Sequence, residues 1–323
     1  MQPESPRVSV VIPLYNKGPF IQRCLDSVFA QDMPDYEIIV VDDGSTDDGA
    51  QIVASQSDPR VRVVSQSNGG PSKARNAGLA AAKGSVIALL DADDRWEPGF
   101  LAAVLRLRDD FPKTKVYATG YVVRTEDCGL RSRRGPRQRG LLRYFWAFAI
   151  YDYPVMNSSA VALDKSVLET VSGFSEEYVT GEDLLFWAQL ALNFDIAYDP
   201  EPLSEYFVDT PGNITQEGLV NRRNLSGTIS PSVDYLEPRF LRGAVPRVLE
   251  DDVLLYIQCT VLRAVKGALV RGDRRAARRY LWARWSKMHF LIRGLVFFGL
   301  SLLPSGMLRA LRSARRRFRR RGR

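Results

Sequence analysis

A chain of 323 residues, 45% hydrophobic and 25% charged, has enough apolar material for one large domain or two smaller ones, and this composition excludes disordered and fibrous classes. A single histidine, His289, argues against a Ser-His hydrolase or a His-rich metal site; three dispersed cysteines, Cys24, Cys128 and Cys259, exclude a disulfide framework and predict a reducing compartment. The net charge of +8 is local: subtracting the nine arginines of residues 309–323 leaves −1 for residues 1–308, and six more arginines without an acid lie between Arg131 and Arg143.

The chain opens with Glu4 and two prolines where a secretion signal needs a basic and then a long apolar region, which predicts a cytoplasmic protein. On that reading the sequons at Asn157, Asn213 and Asn224 are ordinary polar loop residues. "RVSVVIP" predicts a first strand, and Ile21, Cys24, Leu25, Val28 and Phe29 recur at the spacing of an amphipathic helix. "EIIVV" is a second strand, followed by a helix entered at Ser45 or Thr46; "RVRVV" is a third. An alanine-rich helix from about Pro71 to Gly84 leads to a fourth strand, "SVIALL", with another helix starting near Glu97-Pro98. Strands alternating with helices imply right-handed crossovers and a mainly parallel sheet. Residues 110–210 are less regular, with the basic block, the aromatic run "YFWAFAIYDY" and an acidic cluster in "TGEDLLFWAQLAL"; residues 246–286 predict two helices around "RGD".

Ligands of parallel sheets bind beyond the carboxyl ends of the strands, so the residues just after each predicted strand form a candidate set: Tyr15 and Asn16, Asp42 and Asp43, Asn68 and Gly69, Asp91 and Asp93. Asp91 and Asp93, separated by Ala92, are i and i+2 on a chain leaving a strand and are spaced to share a divalent cation, Mg or Mn; the plainer alternative is a turn with helix caps. Asp42 and Asp43 can accept from a base N–H or a ribose hydroxyl, while Ser45 caps the next helix. Arg75 lies on the helix face toward that pocket, where a solvated surface role competes. Glu182 and Asp183 open a helix in which Thr180 and Asp183 match a capping box; their functional alternative is a general base, which here must be a carboxylate.

"VSVVIPLYNKGPFIQRCLDSVFAQ", "VVDDGSTDD", "NGGPSKARNAGLAAAKGSVIALLDADD" and "GFSEEYVTGEDLLFWAQLAL" resemble the successive blocks of family 2 glycosyltransferases over roughly residues 7–206. The resemblance implies an α/β fold of the GT-A type, a mainly parallel sheet flanked by helices, with C-terminal helices. It implies inverting transfer from a nucleotide-diphospho-sugar, usually a UDP-sugar, to an acceptor hydroxyl, expected to be a lipid-linked saccharide in bacterial surface polysaccharide synthesis. Carried onto this chain, it has Pro13, Tyr15, Asn16, Asp43 and Arg75 contact the nucleotide, with Asp43 reading the uracil edge and Asp42, Asn68 and Ala92 in the same pocket. Asp91 and Asp93 become the cation pair, and Asp183, beside Glu182, the base.

The domain expectation is a catalytic domain over 1–210 (nucleotide-sugar half 1–110, acceptor half 111–210), a helical extension over 211–286, and an amphipathic segment with a basic tail over 287–323. The apolar run Gly294–Leu303 is only ten residues, against the ~20 of a spanning helix, so it predicts in-plane binding at an anionic membrane surface. The protein is thereby expected to be peripheral on the inner face of the cell membrane. The competing functions are a nucleotidyltransferase using the same carboxylates and a nucleic-acid-binding protein using its arginine tracts; the latter is disfavoured because the arginines lie outside the acidic cleft, so no nucleic acid is expected as a partner.

Overall fold

The structure, a computed structural model, describes residues 5–125, 129–151, 153–178, 180–208, 210 and 230–282. The chain divides into two compact units, Met1–Ser226 and Gly227–Arg323. The expected segment 287–323 lies outside the described residues, as do Asn213 and Asn224.

In the first unit, β1 (Val8–Leu14) and β2 (Tyr36–Asp42) are apolar on both faces and almost wholly buried, as strands covered by helices on two sides must be. They pair in parallel from Val8 opposite Tyr36 to Leu14 opposite Asp42, so both strands end at the same level. β3 (Val61–Ser65) joins β2 and β4 (Val86–Leu89) joins β1, both in parallel. Between them α1 (Gly18–Phe29) buries the expected stripe of Ile21, Cys24, Leu25 and Val28, and α3 (Pro71–Ala81) starts on a proline.

The remaining strands are β5 (Arg95–Trp96), β6 (Val116–Arg124), β7 (Leu130–Arg134), β8 (Gly140–Leu141), β9 (Val161–Asp164) and β10 (Ile196–Phe207). The order across the sheet is β3-β2-β1-β4-β9-β6-β10-β5, with β7 on β6 and β8 on β10. β9 runs antiparallel to both β4 and β6, and β5, β7 and β8 also pair antiparallel. The expectation of a mainly parallel sheet therefore holds for β1 to β4 and for the long β6–β10 pair, while the antiparallel β9 between them and the short edge strands make the sheet as a whole mixed. Its helices in this half are α4 (Phe100–Asp110), α5 (Tyr144–Tyr151) and α6 (Glu182–Asn193).

Three helix starts and ends move from their expected places for local reasons. The helix expected at Ser45 or Thr46, α2 (Gly49–Ala54), begins later because the Ser45 hydroxyl accepts from the Asn16 amide and the Thr46 amide donates to Asn16 Oδ1, so neither residue is available to start a turn. α3 stops at Ala81, and the chain is extended at Ala82; beyond it, a Cβ on Gly84 would stand 2.6 Å from the Ser9 amide, so the strand approach there admits only glycine. α4 begins at Phe100, after Gly99 at φ 92, because Arg95-Trp96 are taken into the sheet by Ser204 and Glu205.

The second unit has three helices among its described residues, α7 (Pro231–Leu241), α8 (Glu250–Arg271) and α9 (Arg274–Trp282). Ser232 on α7 hydrogen-bonds to the Tyr256 hydroxyl on α8 at 2.8 Å, and α8 ends at Gly272, φ 84, within the expected "RGD" turn. The stretch Arg247–Val270 is long and apolar enough to cross a membrane by length and composition, but half of that window is buried in the protein, as in a core helix.

Candidate active site

The parallel register brings the ends of β1, β2 and β4 to one edge, and the loops that leave them are tied to one another. Asn16, directly after β1, adopts φ 51, a left-handed conformation that asparagine tolerates. Its amide donates to Ser45 Oγ at 3.1 Å and its side-chain oxygen accepts from the Thr46 amide at 2.8 Å. Tyr15 beside it is 47% exposed, leaving its ring open to a ligand, while Pro13 is half-buried inside β1.

The two aspartates that end β2 are used differently. Asp43 Oδ1 accepts from Gln66 Nε2 at 2.7 Å and from the Gly69 amide at 2.9 Å, Oδ2 accepts from the Gly70 amide at 2.8 Å, and Asn68 Nδ2 donates to the Asp43 carbonyl at 3.1 Å. A buried carboxylate with about four acceptor positions has most of them filled here, so Asp43 holds the loop that precedes α3. Asp42 gives Oδ1 to the Ser45 amide at 3.0 Å and keeps Oδ2 without a hydrogen bond among the described residues. Of the two aspartates, Asp42 is the one with a carboxylate oxygen left over from hydrogen bonds among the described residues.

Arg75 is buried, with side-chain exposure of 8%, which overturns a solvated surface role. Its Nη2 donates to Asp91 Oδ1 at 2.8 Å and its Nη1 to Glu182 Oε1 at 3.2 Å, and the guanidinium lies 5.2 Å from the Phe174 ring centroid. Arg75 thereby binds the aspartate after β4 to the start of α6.

The three aspartates of "DADD" part company. Ala92 is buried in the main core. Asp91 faces Arg75, and Asp93 Oδ2 accepts from Lys17 Nζ at 2.7 Å and from Thr210 Oγ1 at 2.7 Å. Asp94, 1% exposed, takes Ser159 Oγ at 2.5 Å and the Phe207 amide at 3.0 Å, and Ser159 Oγ in turn accepts from the Asp91 amide at 3.0 Å. Burial, then the charges of Asp93 and Asp91, push the Asp94 carboxyl well above the ordinary range. Asp94 is thus a buried bracket that, through Ser159, holds the backbone of Asp91. Asp91 Oδ2 and Asp93 Oδ1 each remain without a hydrogen bond among the described residues. Carboxylate oxygens are the donors a hard cation takes, but no group of three or more acids, histidines or cysteines suited to a metal is found among the described residues.

At the start of α6, Gly181 at φ 80 occupies the capping position and no side chain caps the helix, so the Thr180–Asp183 capping box does not form. Glu182 is buried against Arg75, and Asp183 Oδ1 accepts from the Leu184 amide at 2.7 Å with no ion pair among the described residues. Burial, then repulsion by Asp183, pushes the Glu182 carboxyl up to about 7 against the pull of Arg75. Burial also raises Asp183, opposed by the Leu184 amide and Arg75.

Lys17, Thr210 and Ser159 belong to this site and carry no clear signal in the sequence. Lys17 follows Asn16 directly, so the strand-end rule reaches it if extended by one residue; Thr210 and Ser159 lie in stretches with no pattern, and only the tertiary fold brings them to the aspartates.

The glycosyl transferase family 2 model matches residues 9–169. The chain is 46% identical over 91 residues to the uncharacterized glycosyltransferase EpsJ of Bacillus subtilis, covering 28% of this chain and 26% of EpsJ. It is 41% identical over 118 residues to the chondroitin synthase of Pasteurella multocida, covering 36% of this chain and 12% of the synthase. The chain thus spans about a quarter of the one relative and about an eighth of the other. Among solved structures, TarS of S. aureus in complex with UDP-GlcNAc superposes with a TM-score of 0.59 at 19% identity, covering 85% of this chain and 89% of that one. The mannosyltransferase PcManGT of Pyrobaculum calidifontis, in complex with GDP-Man and Mn2+, gives 0.58 at 20% identity, covering 92% and 84%. With the ordered blocks, the strand-end site and these likenesses together, the chain belongs to glycosyl transferase family 2 and has the GT-A glycosyltransferase fold.

Proposed function

We propose that this chain transfers a sugar from a nucleotide-diphospho-sugar, a UDP-sugar before others, to a hydroxyl of a lipid-linked saccharide, with inversion, in the synthesis of a bacterial surface polysaccharide. The observation that carries this reading is the Asp91–Arg75–Glu182 chain, which sets the aspartate after β4 and the acidic start of α6 at the one sheet edge where Asp42 and Tyr15 also end. Tyr15 and Asp42 Oδ2 face the base and ribose of the donor, and Asn16 and Asp43 hold the loops that carry them. Asp91 and Asp93 would hold a divalent cation, which would neutralise the departing diphosphate. Asp183, raised in pKa and without a cation on it, takes the proton of the attacking hydroxyl, and Glu182 and Arg75 position it. No protein nucleophile is needed for one-step inversion.

UDP-GlcNAc and GDP-Man in the neighbouring structures support a nucleotide-sugar donor, and the EpsJ likeness supports a polysaccharide role. The basic tail and the short apolar run before it support a place at the cytoplasmic face of the membrane, where a lipid-linked acceptor presents its sugar. The test is mass analysis of products from a panel of nucleotide-sugars with membrane-extracted lipid acceptors, with the released nucleotide identified. We expect UDP and a glycosylated acceptor, nearly abolished by Asp91→Ala, Asp93→Ala or chelation. Pyrophosphate release would make the chain a nucleotidyltransferase, and full activity in excess EDTA would remove the cation from this account.

A further inference from the structure

A lysine ammonium is a compact point charge on a flexible four-carbon stem, and at a surface it ordinarily stays in water. Lys17, at the start of α1, is turned inward instead. Its Nζ lies 2.7 Å from Asp93 Oδ2, and the two side chains are only 12% and 13% exposed. Asp93 is 76 residues further along the chain, so the pair ties the loop after β1 to the loop after β4. Thr210 Oγ1 donates to the same carboxylate oxygen at 2.7 Å, and Arg23 Nη2 on α1 donates to the Asp93 carbonyl at 2.6 Å. Of these contacts, that of Lys17 brings a full charge to the carboxylate.

Asp91 and Asp93 are therefore not equivalent. Asp91 meets Arg75, a planar fork that also holds Glu182 and lies against the Phe174 ring, so its charge is committed to carboxylates on two different elements. Lys17 is a single point of charge on a stem that can swing. A divalent cation taken by Asp93 would share that carboxylate with the Lys17 ammonium, and two cations on one carboxylate repel strongly where water is largely excluded. A diphosphate reverses this balance, because its oxygens bring negative charge that an ammonium and a metal ion can both meet.

Resting on the reading that Asp91 and Asp93 hold a divalent cation, we propose that Lys17 is a resident counter-ion of Asp93 that competes with that cation. The free protein then holds the cation weakly, and holds it firmly only together with the donor diphosphate. Lys17 is in this sense a positioning residue that couples cation binding to donor binding, and removing its charge tightens the binding of the cation alone.

The test titrates the full chain with Mn2+ alone, free Mn2+ being read from its electron paramagnetic resonance signal, with no nucleotide and no turnover. Lys17→Met keeps the stem without the charge, Lys17→Gln keeps a hydrogen-bond donor without the charge, and Lys17→Arg keeps the charge. With unchanged circular dichroism, the Met and Gln variants are each expected to bind Mn2+ about tenfold more tightly than wild type, and the Arg variant about as wild type does. Adding Asp93→Asn to the Met or Gln variant is expected to abolish the gain, which places the ion at Asp93. By linkage, calorimetric titration of UDP is expected to gain less from excess Mn2+ in Lys17→Met than in wild type. Equal or weaker Mn2+ binding in the Met and Gln variants, or an undiminished gain for UDP, overturns the competition and leaves the cation standing. A gain that survives Asp93→Asn also overturns it, because the ion is then held elsewhere. No Mn2+ binding to any of these proteins, with or without UDP, overturns the proposal and the cation reading together.

Discussion

Two buried glutamates face arginine in this protein and are held in opposite states. Glu205 on β10 receives Arg95 Nε on one oxygen and Arg124 Nε on the other, and although burial favours its neutral form, the two arginines bring its pKa below the ordinary glutamate value. Glu182, at the start of α6, shares one arginine with Asp91 and has Asp183 beside it, and burial with that like charge carries it up to about 7. Among the described residues, two arginines meet on Glu205 and clamp β5, β6 and β10 together. The Glu182 region has one cation for three carboxylates, an imbalance that costs stability and keeps protons exchangeable near neutral pH. That excess supports the catalytic role we propose for the start of α6.

The largest effect is expected where that excess is used. Asp183→Asn preserves shape but cannot accept a proton, and should lower kcat by about 10²–10⁴ with donor KM little changed. The acid limb of the wild-type kcat profile should lie above the ordinary aspartate value of 3.8, because Asp183 is raised. If Asp183→Asn keeps a near-normal rate and Glu182→Gln does not, the base is Glu182 and the roles within the pair are reversed.

Next in size is the loss of the shared cation. Arg75→Met leaves the half-buried Asp91 and the buried Glu182 without their shared cation and should cost about 3 kcal/mol in denaturant unfolding, along with activity. A loss within about 0.5 kcal/mol, the range of ordinary surface changes, would show that Arg75 is not the organising charge.

The smallest and sharpest test is a sign. Glu182 has a folded pKa above its unfolded value of 4.5, so the stability that its proton contributes is fully present below 4.5 and lost as pH rises toward about 7. Across that window Tm should shift in favour of Glu182→Gln relative to wild type. Glu205 has a folded pKa below 4.5, so its contribution is present above 4.5 and lost as pH falls through the lowered value. Glu205→Gln should therefore be least stable relative to wild type at neutral pH, by about 1–2 kcal/mol, with the gap closing in acid. Parallel curves for the two variants would erase the distinction between clamp and site.

Much of the nucleotide half is legible in the sequence because its signals are local. Continuous apolar runs mark strands buried on both faces, the Ile21–Phe29 stripe marks a helix, and parallel connectivity brings the residues after each strand to one edge. Asp42, Asp91 and Asp93 are singled out by that rule, Glu182 and Asp183 by their place at a helix start, and Arg75 ties Asp91 to Glu182 at that edge. Less is legible from residue 110 onward, where β9 runs against β4 and β6, because a four-residue apolar run carries no information about its direction in a sheet.

The sequence by itself determined which side chains stand at the strand ends, since periodicity and chain order are both local properties. Only the tertiary structure decided how each carboxylate is employed. Asp42 and Asp43 are adjacent and chemically identical, yet one is filled by the amides of Gly69 and Gly70, brought from 26 and 27 residues away, and the other keeps an open oxygen. Asp93 and Asp94 are likewise adjacent, and Lys17 meets the first across 76 residues while Phe207 meets the second across 113. A carboxylate's charge state and role are set by burial and by the donors around it, and those donors come from parts of the chain whose distance in sequence says nothing of their distance in space.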